Sequence, residues 1–239
     1  MIAPLVASLM VLSLGSYAQE PETQAPAGVN LTRVWTTGET QDYILELTME
    51  SDSFEGDKFE GVAEFTVKVL EARESGDANV QTSVTKLTLK FGGEEFPAMD
   101  PPKPIEALFG PNGLPKKLAL DNPDDPIALV LPALFVPAAE VKVGEEFKVD
   151  WASEDGAITL KGSGKLTATG RLYEEHVARL TMQIKAEGEE LPTGDFELLT
   201  YVNSQTRKLV KAEGTLIGED PDLGEKMTVK FVIRKVRDV

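Results

Sequence analysis

Apolar and polar side chains alternate with a period of two in many short runs of this chain. In the run over residues 41–51, four apolar side chains fall on one face and polar side chains on the other. An extended strand points successive side chains to opposite faces, so each run predicts a strand with one dry and one wet face. The apolar sets are Tyr43, Leu45, Leu47, Met49; Phe65, Val67, Val69; Leu87, Leu89, Phe91; Phe147, Val149, Trp151; Ala178, Leu180, Met182, Ile184; Phe196, Leu198, Val202; and Met227, Val229, Phe231, Ile233. Such strands are typical of antiparallel sheets with one packed face.

The ends and irregularities of these strands are also marked in the sequence. Three polar, glycine-containing segments predict turns: residues 74–77, 154–156 and 218–222. Between Val84 and Leu87 the apolar positions shift by one residue. One extra residue reverses which side chains point inward, so the shift predicts a β-bulge.

The segment from Pro97 to Pro137 has a different character, with ten prolines and the apolar run IALVLPALFV. Asp125 can cap a helix that has Pro126 at its first position. The side chains at helical spacing are Ile127, Val130, Leu131, Leu134 and Phe135. Pro132 lacks an N–H donor and clashes one turn back, so any helix here is short, broken or kinked. The helix could be an amphipathic plug over one open end of the sheet, or a lid that gates a ligand.

These patterns together predict an all-β fold. We expect a curved, mostly antiparallel sheet, shaped as a half-barrel or a sandwich, with a short proline-broken helical segment in its middle. Little helix is expected elsewhere in the mature chain.

The amino terminus predicts export. Residues 5–14 form a short apolar run, and Ser16 and Ala18 are small residues at the −3 and −1 positions of a cleavage point after Ala18. This is the pattern of a secretory signal peptide over residues 1–18, although residues 1–4 carry no Lys or Arg. The polar, proline-containing residues 19–28 predict a flexible linker, and residues 29–239 a single β domain.

Two parts of that domain resemble each other. Gly-Glu at 38–39 and at 144–145 opens a series of amphipathic strands, and Glu-Glu-x-Pro at 94–97 and at 189–192 closes one. An internal duplication of residues 38–97 and 144–192 would explain both matches. Chance would also explain them in a chain so rich in acidic residues.

Composition limits the compartment and the partners. The chain has no cysteine, which excludes disulfides, thiolate metal sites, cysteine nucleophiles and lipid attachment at the cleavage point. An exported chain without disulfides favours a bacterial periplasmic or extracellular setting. The net charge of −16 disfavours nucleic acid and anionic lipid surfaces. No second apolar segment is long enough for a stable membrane span after cleavage.

Residues for catalysis are scarce. His176 is the only histidine, in the charged turn Tyr-Glu-Glu-His, where it is expected to be exposed. Ser163 lacks the strand-turn-helix context of a nucleophile elbow. Gly92-Gly93 and Gly162-Ser163-Gly164 do not form a phosphate or dinucleotide loop and are expected in bulges or turns. We therefore predict a protein that is not an enzyme, with no catalytic, cofactor-binding or metal-binding residue and no cofactor.

Three acidic groups are candidate calcium sites: Asp52, Glu55 and Asp57; Asp121, Asp124 and Asp125; and Asp220, Asp222 and Glu225. None has the spacing of a twelve-residue calcium loop, and solvated hairpin tips are the favoured interpretation. Trp35 and Trp151 lie in apolar alternating segments, which favours packing in the core over a binding platform.

One resemblance follows from these features. A signal, a tether, amphipathic strands, and a V-x-V-G-E-x-F run (Val141, Val143, Gly144, Glu145, Phe147) resemble uncharacterised exported bacterial β-proteins. The layout is distantly similar to the open half-barrels of periplasmic lipoprotein carriers, which shelter acyl chains. This resemblance implies a fold and no functional residue.

The predicted function is non-catalytic. One hypothesis is an exported protein that holds an apolar ligand, such as an acyl chain, in the concave face of its sheet. The alternative is a structural or protein-interaction module of the cell envelope, whose core is filled by its own side chains and whose acidic loops meet a protein partner. Inward-facing Leu, Val and Phe serve both. The first hypothesis requires a continuous apolar pocket of at least about 300 Å³.

Overall fold

The computed structural model describes residues 28–97, 100–117, 126–188, 193–219 and 226–236, and the structural statements below concern these residues. The predicted signal peptide, the linker up to residue 27 and the acidic groups at 121–125 and 220–225 lie outside them.

Alternating sequence produces long antiparallel strands. In chain order the strands are β1 Thr40–Ser51, β2 Phe59–Ala72, β3 Ala78–Phe91, β4 Glu94–Glu95, β5 Ile105–Phe109, β6 Pro115–Lys117, β7 Glu146–Ala152, β8 Ile158–Leu172, β9 Glu175–Gly188, β10 Gly194–Asn203, β11 Leu209–Glu219 and β12 Lys226–Lys235. A short 3₁₀ turn, Asp52–Phe54, follows β1, and the helix α1 spans Pro126–Leu134. The predicted all-β fold with a curved antiparallel sheet is confirmed.

All twelve strands belong to one sheet. Its order is β6-β5-β3-β2-β1-β12-β11-β10-β9-β8-β7, and β4 pairs with β3 at the side. The first and last long strands therefore pair with each other, with Tyr43 opposite Lys235 and Ser51 opposite Met227. The sheet curves until its two edges almost meet. There the backbone N–H of Glu154, just after β7, donates to the carbonyl of Lys116 in β6 at 2.7 Å.

Side chains from the inner face fill the sheet. The main core includes Leu45, Val149, Ile184, Phe196 and Val229, each 2% exposed or less. Phe91, predicted to face inward, is instead 37% exposed, because β3 runs past the core there and its ring packs edge-on against Phe54.

The helix α1 lies inside the curve of the sheet, and the predicted helical segment is confirmed. Its sequence, PIALVLPAL, has no polar side chain, and Val130 and Leu131 are both 2% exposed. A helix that is apolar on every side is stable only when buried, which its place between the strands provides. The helix includes Pro132 and ends two residues later. Asp125, the predicted cap, lies outside the described residues. Within the described part of the chain, no helix is long and apolar enough to cross a lipid bilayer.

Local predictions had mixed outcomes. The bulge in β3 is confirmed, since Glu64 pairs with Lys86 while Phe65 pairs with Val84. Gly92 and Gly93 form a turn with φ of 57° and 85°. Gly162 and Gly164 were predicted in a bulge or turn, which is wrong. Both lie inside β8 in regular register, where the chains approach so closely that a side chain would collide.

Candidate functional site

Two concave places among the described residues differ in character. A groove of about 680 Å³ crosses the outer face of strands β7 to β12 and is open to solvent. Its charged side chains are of both signs, with Glu146, Lys165, Glu197, Glu213 and Lys230 along it. The second is a cavity of about 80 Å³ on the inner side of the sheet, which is more enclosed than the groove. Enclosure and apolar walls with few polar groups are the features of a small-molecule site, so the inner cavity is the candidate.

Strands and helix both contribute to its apolar walls. Neighbouring strands β1, β2, β3 and β5 supply one side, and β11 and β12 the other. The helix α1 supplies a third side through Val130 and Leu134. The apolar side chains of the sheet that line the cavity are Phe65, Val67, Val69, Val80, Phe109, Leu209 and Ile233.

The segment before β1 closes one end of the cavity. The backbone of Val29 pairs with that of Val141, Arg33 N–H donates to the carbonyl of Pro111 at 2.8 Å, and Gly38 N–H donates to that of Val69 at 2.9 Å. These three anchors hold the segment in an extended path. Arg33 and Trp35, two residues apart, both line the cavity.

Arg33 is only partly satisfied by the protein. Its Nη1 donates to the carbonyl of Arg207 at 2.5 Å, while its buried Nε has no hydrogen-bond partner among the described residues. Glu39 is close enough to act on the charge of Arg33, but this carboxylate is already paired with Lys208 Nζ at 2.7 Å. Burial lowers the pKa of the Arg33 guanidinium, and the nearby Tyr43 and Glu39 act in the opposite direction. An arginine nevertheless stays charged in proteins, so this end of the cavity carries a positive charge.

Trp35 presents a second unpaired donor. Its ring packs edge-to-face on Phe109, with centroids 5.9 Å apart. Its indole Nε1–H is buried and has no hydrogen-bond partner among the described residues. A buried donor without a partner costs about 1–3 kcal/mol, so two at one cavity call for an explanation.

The remaining polar groups of this end form a connected network. Glu39 accepts from Lys208 Nζ at 2.7 Å and from Gln41 Nε2 at 2.8 Å. Tyr43 Oη donates to Gln41 and lies 3.3 Å from the carbonyl of Leu209. Burial raises the pKa of the Tyr43 phenol well above its usual range, so the group is neutral at physiological pH. Glu39 is thus already engaged by Lys208 and Gln41.

The β10–β11 turn places two of the cations. Asn203 Oδ1 accepts from the N–H groups of Gln205 at 2.9 Å and Thr206 at 2.7 Å, which fixes the turn. Arg207 then adopts a left-handed conformation, with φ of 61°. This geometry directs the Arg207 carbonyl to Arg33 and brings Lys208 to Glu39.

The cavity is locally cationic in an acidic protein. Three cationic residues line it, Arg33, Arg207 and Lys208, against one carboxylate, Glu39. The whole chain carries a net charge of −16. The local excess of positive charge is therefore opposite in sign to that of the molecule.

The residues weighed for catalysis do not come together. His176 is exposed at the start of β9, where its carbonyl accepts from Ser204 N–H at 2.8 Å. Ser163 is exposed on the outer face of β8, in the open groove. Neither lines the inner cavity. Two other buried atoms lack partners among the described residues, Arg179 Nε and Thr200 Oγ1, and they line neither concavity.

The calcium and tryptophan hypotheses have separate outcomes. Asp52, Glu55 and Asp57 lie around the exposed turn after β1, and in the described part of the chain no three acidic or histidine side chains cluster as metal ligands. Trp151 packs against the main core, as predicted. Trp35 packs on the small core around Phe109 and also borders the cavity.

The volume of the cavity is smaller than a site for an acyl chain requires. Its 80 Å³ is well below the roughly 300 Å³ expected for a ligand pocket, and side chains and α1 fill the rest of the interior. The pocket that the apolar-ligand hypothesis requires is therefore not present in this conformation, in which the cavity holds only a small group. A whole acyl chain requires displacement of a wall.

Sequence reasoning missed Arg33, Gln41, Arg207 and Lys208. One signal was present: Arg33 and Trp35 lie at positions i and i+2, and so share a face of an extended segment. The loop residues gave no signal, because their place beside the cavity depends on the pairing of distant strands.

Comparison with known proteins gives distant likenesses. No protein-family model and no curated protein sequence matches the chain. Similar solved structures include lipovitellin, studied for lipid–protein interactions, with 8% identity and a TM-score of 0.49 over 84% of this chain and 25% of that one. They also include a LolA superfamily protein from Nitrosomonas europaea, with 12% identity and a TM-score of 0.21 over 87% of this chain and 90% of that one. The chain thus spans only 25% of the lipovitellin chain it matches, and these scores assign it neither a family nor an activity.

Proposed function

We propose that this is a non-catalytic, exported protein of the bacterial periplasm or exterior that binds an apolar ligand inside its curved sheet. The observation that carries the proposal is the position of α1. This apolar helix belongs to no strand ladder, yet Val130 and Leu134 form a wall of a partly enclosed cavity within the curve of the sheet.

Displacement of α1 would enlarge the cavity without breaking a strand pair. The twelve strands are hydrogen-bonded to one another in one continuous sheet. The inner faces of β1, β2, β11 and β12, now in contact with the core, would remain apolar and in place. An apolar ligand entering the space of α1 would replace the contacts of the helix with the strands, and this burial offsets part of the cost of exposing the apolar side chains of α1.

Ligand uptake tests this proposal directly. We expect native mass spectrometry of the purified protein to show co-purified lipid, and N-phenyl-1-naphthylamine, a neutral apolar dye, to bind saturably. Val80, 1% exposed, lines the cavity, so V80F should fill it and weaken dye binding by about tenfold or more. Val62, 42% exposed on the outer side of the neighbouring strand β2, provides the matched control V62F, which should bind dye like the parent.

Hydrogen exchange tests the role of α1. Added dye should accelerate amide exchange in residues 126–134 while the strands stay protected. A protein free of lipid that also takes up no dye would overturn the proposal.

The filled interior favours a second candidate function. With a cavity of only 80 Å³, the sheet can serve as a rigid envelope module whose acidic loops contact a protein partner. If this candidate is correct, the amides of α1 should stay protected from hydrogen exchange when the dye is added. V80F and V62F should also show the same dye binding.

A further inference from the structure

We propose that the ligand of the inner cavity is an amphiphile with an oxyanion head group, and that Arg33 and Trp35 bind this head group. This inference rests on the proposed function and adds the chemical class of the ligand.

Unused hydrogen-bond donors support this assignment. Arg33 Nε and Trp35 Nε1 are both buried, both belong to residues that line the cavity, and neither has a partner among the described residues. Indole and guanidinium nitrogens only donate, so the complementary group must accept. A group with several acceptor oxygens close together satisfies both donors at once.

Charge gives the sign of the head group. The lining cations outnumber the lining carboxylates by three to one, and the single carboxylate, Glu39, is bound by Lys208 and Gln41. A cationic head group would meet Arg33 at close range, and a neutral one would add no negative charge beyond that of Glu39, which Lys208 already binds. An anion would complete the site, because hydrogen bonds between charged partners are about twice as strong as neutral ones.

Geometry gives the direction of the ligand. Gly113 borders the Arg33 side of the cavity, since a Cβ added there would lie 3.3 Å from Arg33 Nε and 2.4 Å from the carbonyl oxygen of Leu134. The cationic end therefore lies beside the end of α1. The head group fits the existing 80 Å³, and the apolar tail would occupy the space that α1 vacates.

Matched amphiphiles separate head group from tail. Dodecanoate, dodecanol, dodecylamine and dodecyl phosphate share one alkyl chain, and each is titrated by displacement of N-phenyl-1-naphthylamine from the full protein. We expect dodecanoate to bind at least about tenfold more tightly than dodecanol, and dodecylamine to bind more weakly than both. Tighter binding of dodecyl phosphate than dodecanoate would identify a phosphate head group, and the reverse order a carboxylate. Both satisfy the oxyanion assignment.

Two variants test whether Trp35 and Arg33 cause the preference for dodecanoate over dodecanol. W35F keeps an aromatic ring beside Phe109 and removes the indole N–H together with the second ring, so it should reduce the preference for dodecanoate over dodecanol by about tenfold. R33Q should abolish that preference. W151F, in the half-buried β7 position outside the cavity, is the matched control and should keep it.

Dodecanol binding monitors the fold of each variant, because it does not depend on the head-group contacts. Equal binding of dodecanol and dodecanoate by the parent protein would overturn the oxyanion assignment and leave the proposed function standing. Unchanged preference in both W35F and R33Q would overturn the residue assignment. Failure to bind any of the four amphiphiles or the dye would instead overturn the proposed function itself.

Discussion

At the residue scale, the glycines inside β8 show how closely the sheet packs. A Cβ at Gly162 would lie 2.0 Å from the backbone oxygen of Gln183 in the neighbouring strand β9. The obstacle is backbone within a paired ladder, which cannot move aside as a side chain does. The glycine is therefore required by the approach of two strands.

We accordingly expect G162A to lower the free energy of unfolding by about 1–3 kcal/mol, measured by urea denaturation. The matched control is G61A in β2, where the nearest atoms, 3.1 to 3.3 Å from the added Cβ, belong to the flexible side chains of Leu47 and Leu89. There the reduced entropy of the unfolded chain offsets a small clash, so the change should stay within about 0.5 kcal/mol. Equal losses in the two variants would contradict this account of β8.

Sequence could not distinguish these glycines from turn glycines. Gly92-Gly93 and Gly162-Ser163-Gly164 are both short glycine-rich sequences. Only the first lies in a turn, and the second lies inside β8. The difference lies in Gln183 and Phe147, which contact Gly162 and Gly164 from neighbouring strands. Pairing partners far along the chain are not encoded in the local pattern.

At the element scale, α1 is the part of the interior whose removal the proposed function requires. Leu131 lies at its centre, 2% exposed and within the main core. Truncation to alanine removes buried methyl groups and leaves a cavity that the strands cannot fill.

We expect L131A to lower the free energy of unfolding by about 2–5 kcal/mol and to raise the affinity for N-phenyl-1-naphthylamine, because it loosens α1 and enlarges the interior. I217A, at a position 55% exposed on β11, should change the free energy of unfolding by less than about 0.5 kcal/mol and leave dye binding unchanged. A destabilised L131A that takes up dye no better than the parent protein would count against displacement of α1.

The elements were predicted to very different degrees. Period-two alternation identified β1, β2, β3, β7, β9, β10 and β12 but not the long strands β8 and β11, and Pro126 with the apolar spacing after it identified α1. The short strands β5 and β6 were missed, because five and three residues inside a proline-rich segment carry too little alternation to detect. Yet Phe109 of β5 lines the cavity, and β6 forms one edge of the sheet.

At the scale of the whole molecule, Lys116 links the two edges of the sheet. Its Nζ lies 2.9 Å from Asp77 Oδ2 and 3.8 Å from Glu154 Oε1, and its carbonyl accepts the Glu154 N–H. The hydrogen bond from Lys116 holds the pKa of the Asp77 carboxyl below its usual range. Asp77 is 8% exposed, so the loss of Lys116 would leave a nearly buried carboxylate without its cation.

We therefore expect K116M to lower the Tm and to speed amide exchange at Glu154. The control K185M removes an exposed pair, Lys185–Glu187, whose side chains are 57% and 49% exposed, and it should have little effect. Unchanged exchange at Glu154 in K116M would show that the edges meet without this contact.

The same pair gives a pH dependence. Because the folded-state pKa of Asp77 lies below the unfolded-state value of about 3.9, the unfolded chain binds more protons in acid. The contribution of Asp77 to stability is complete above that value and is lost as the pH falls through the folded-state pKa. D77N should consequently show a shallower loss of stability than the parent protein between about pH 5 and pH 2, measured by urea titration at each pH.

The pairing of β1 with β12 has a consequence for how the chain reaches this state. Contacts between the ends of the described chain cannot form until nearly all of it has been made, and such non-local pairing places folding in the slower range, from milliseconds to seconds. Until β12 pairs with it, β1 has an unpaired hydrogen-bonding edge. At that stage the apolar interior is covered by strands on one side only. A chain that emerges stepwise from a ribosome or a translocation channel therefore cannot complete this fold early. Delayed closure would be compatible with the export that we propose, in which the chain crosses a membrane before it folds.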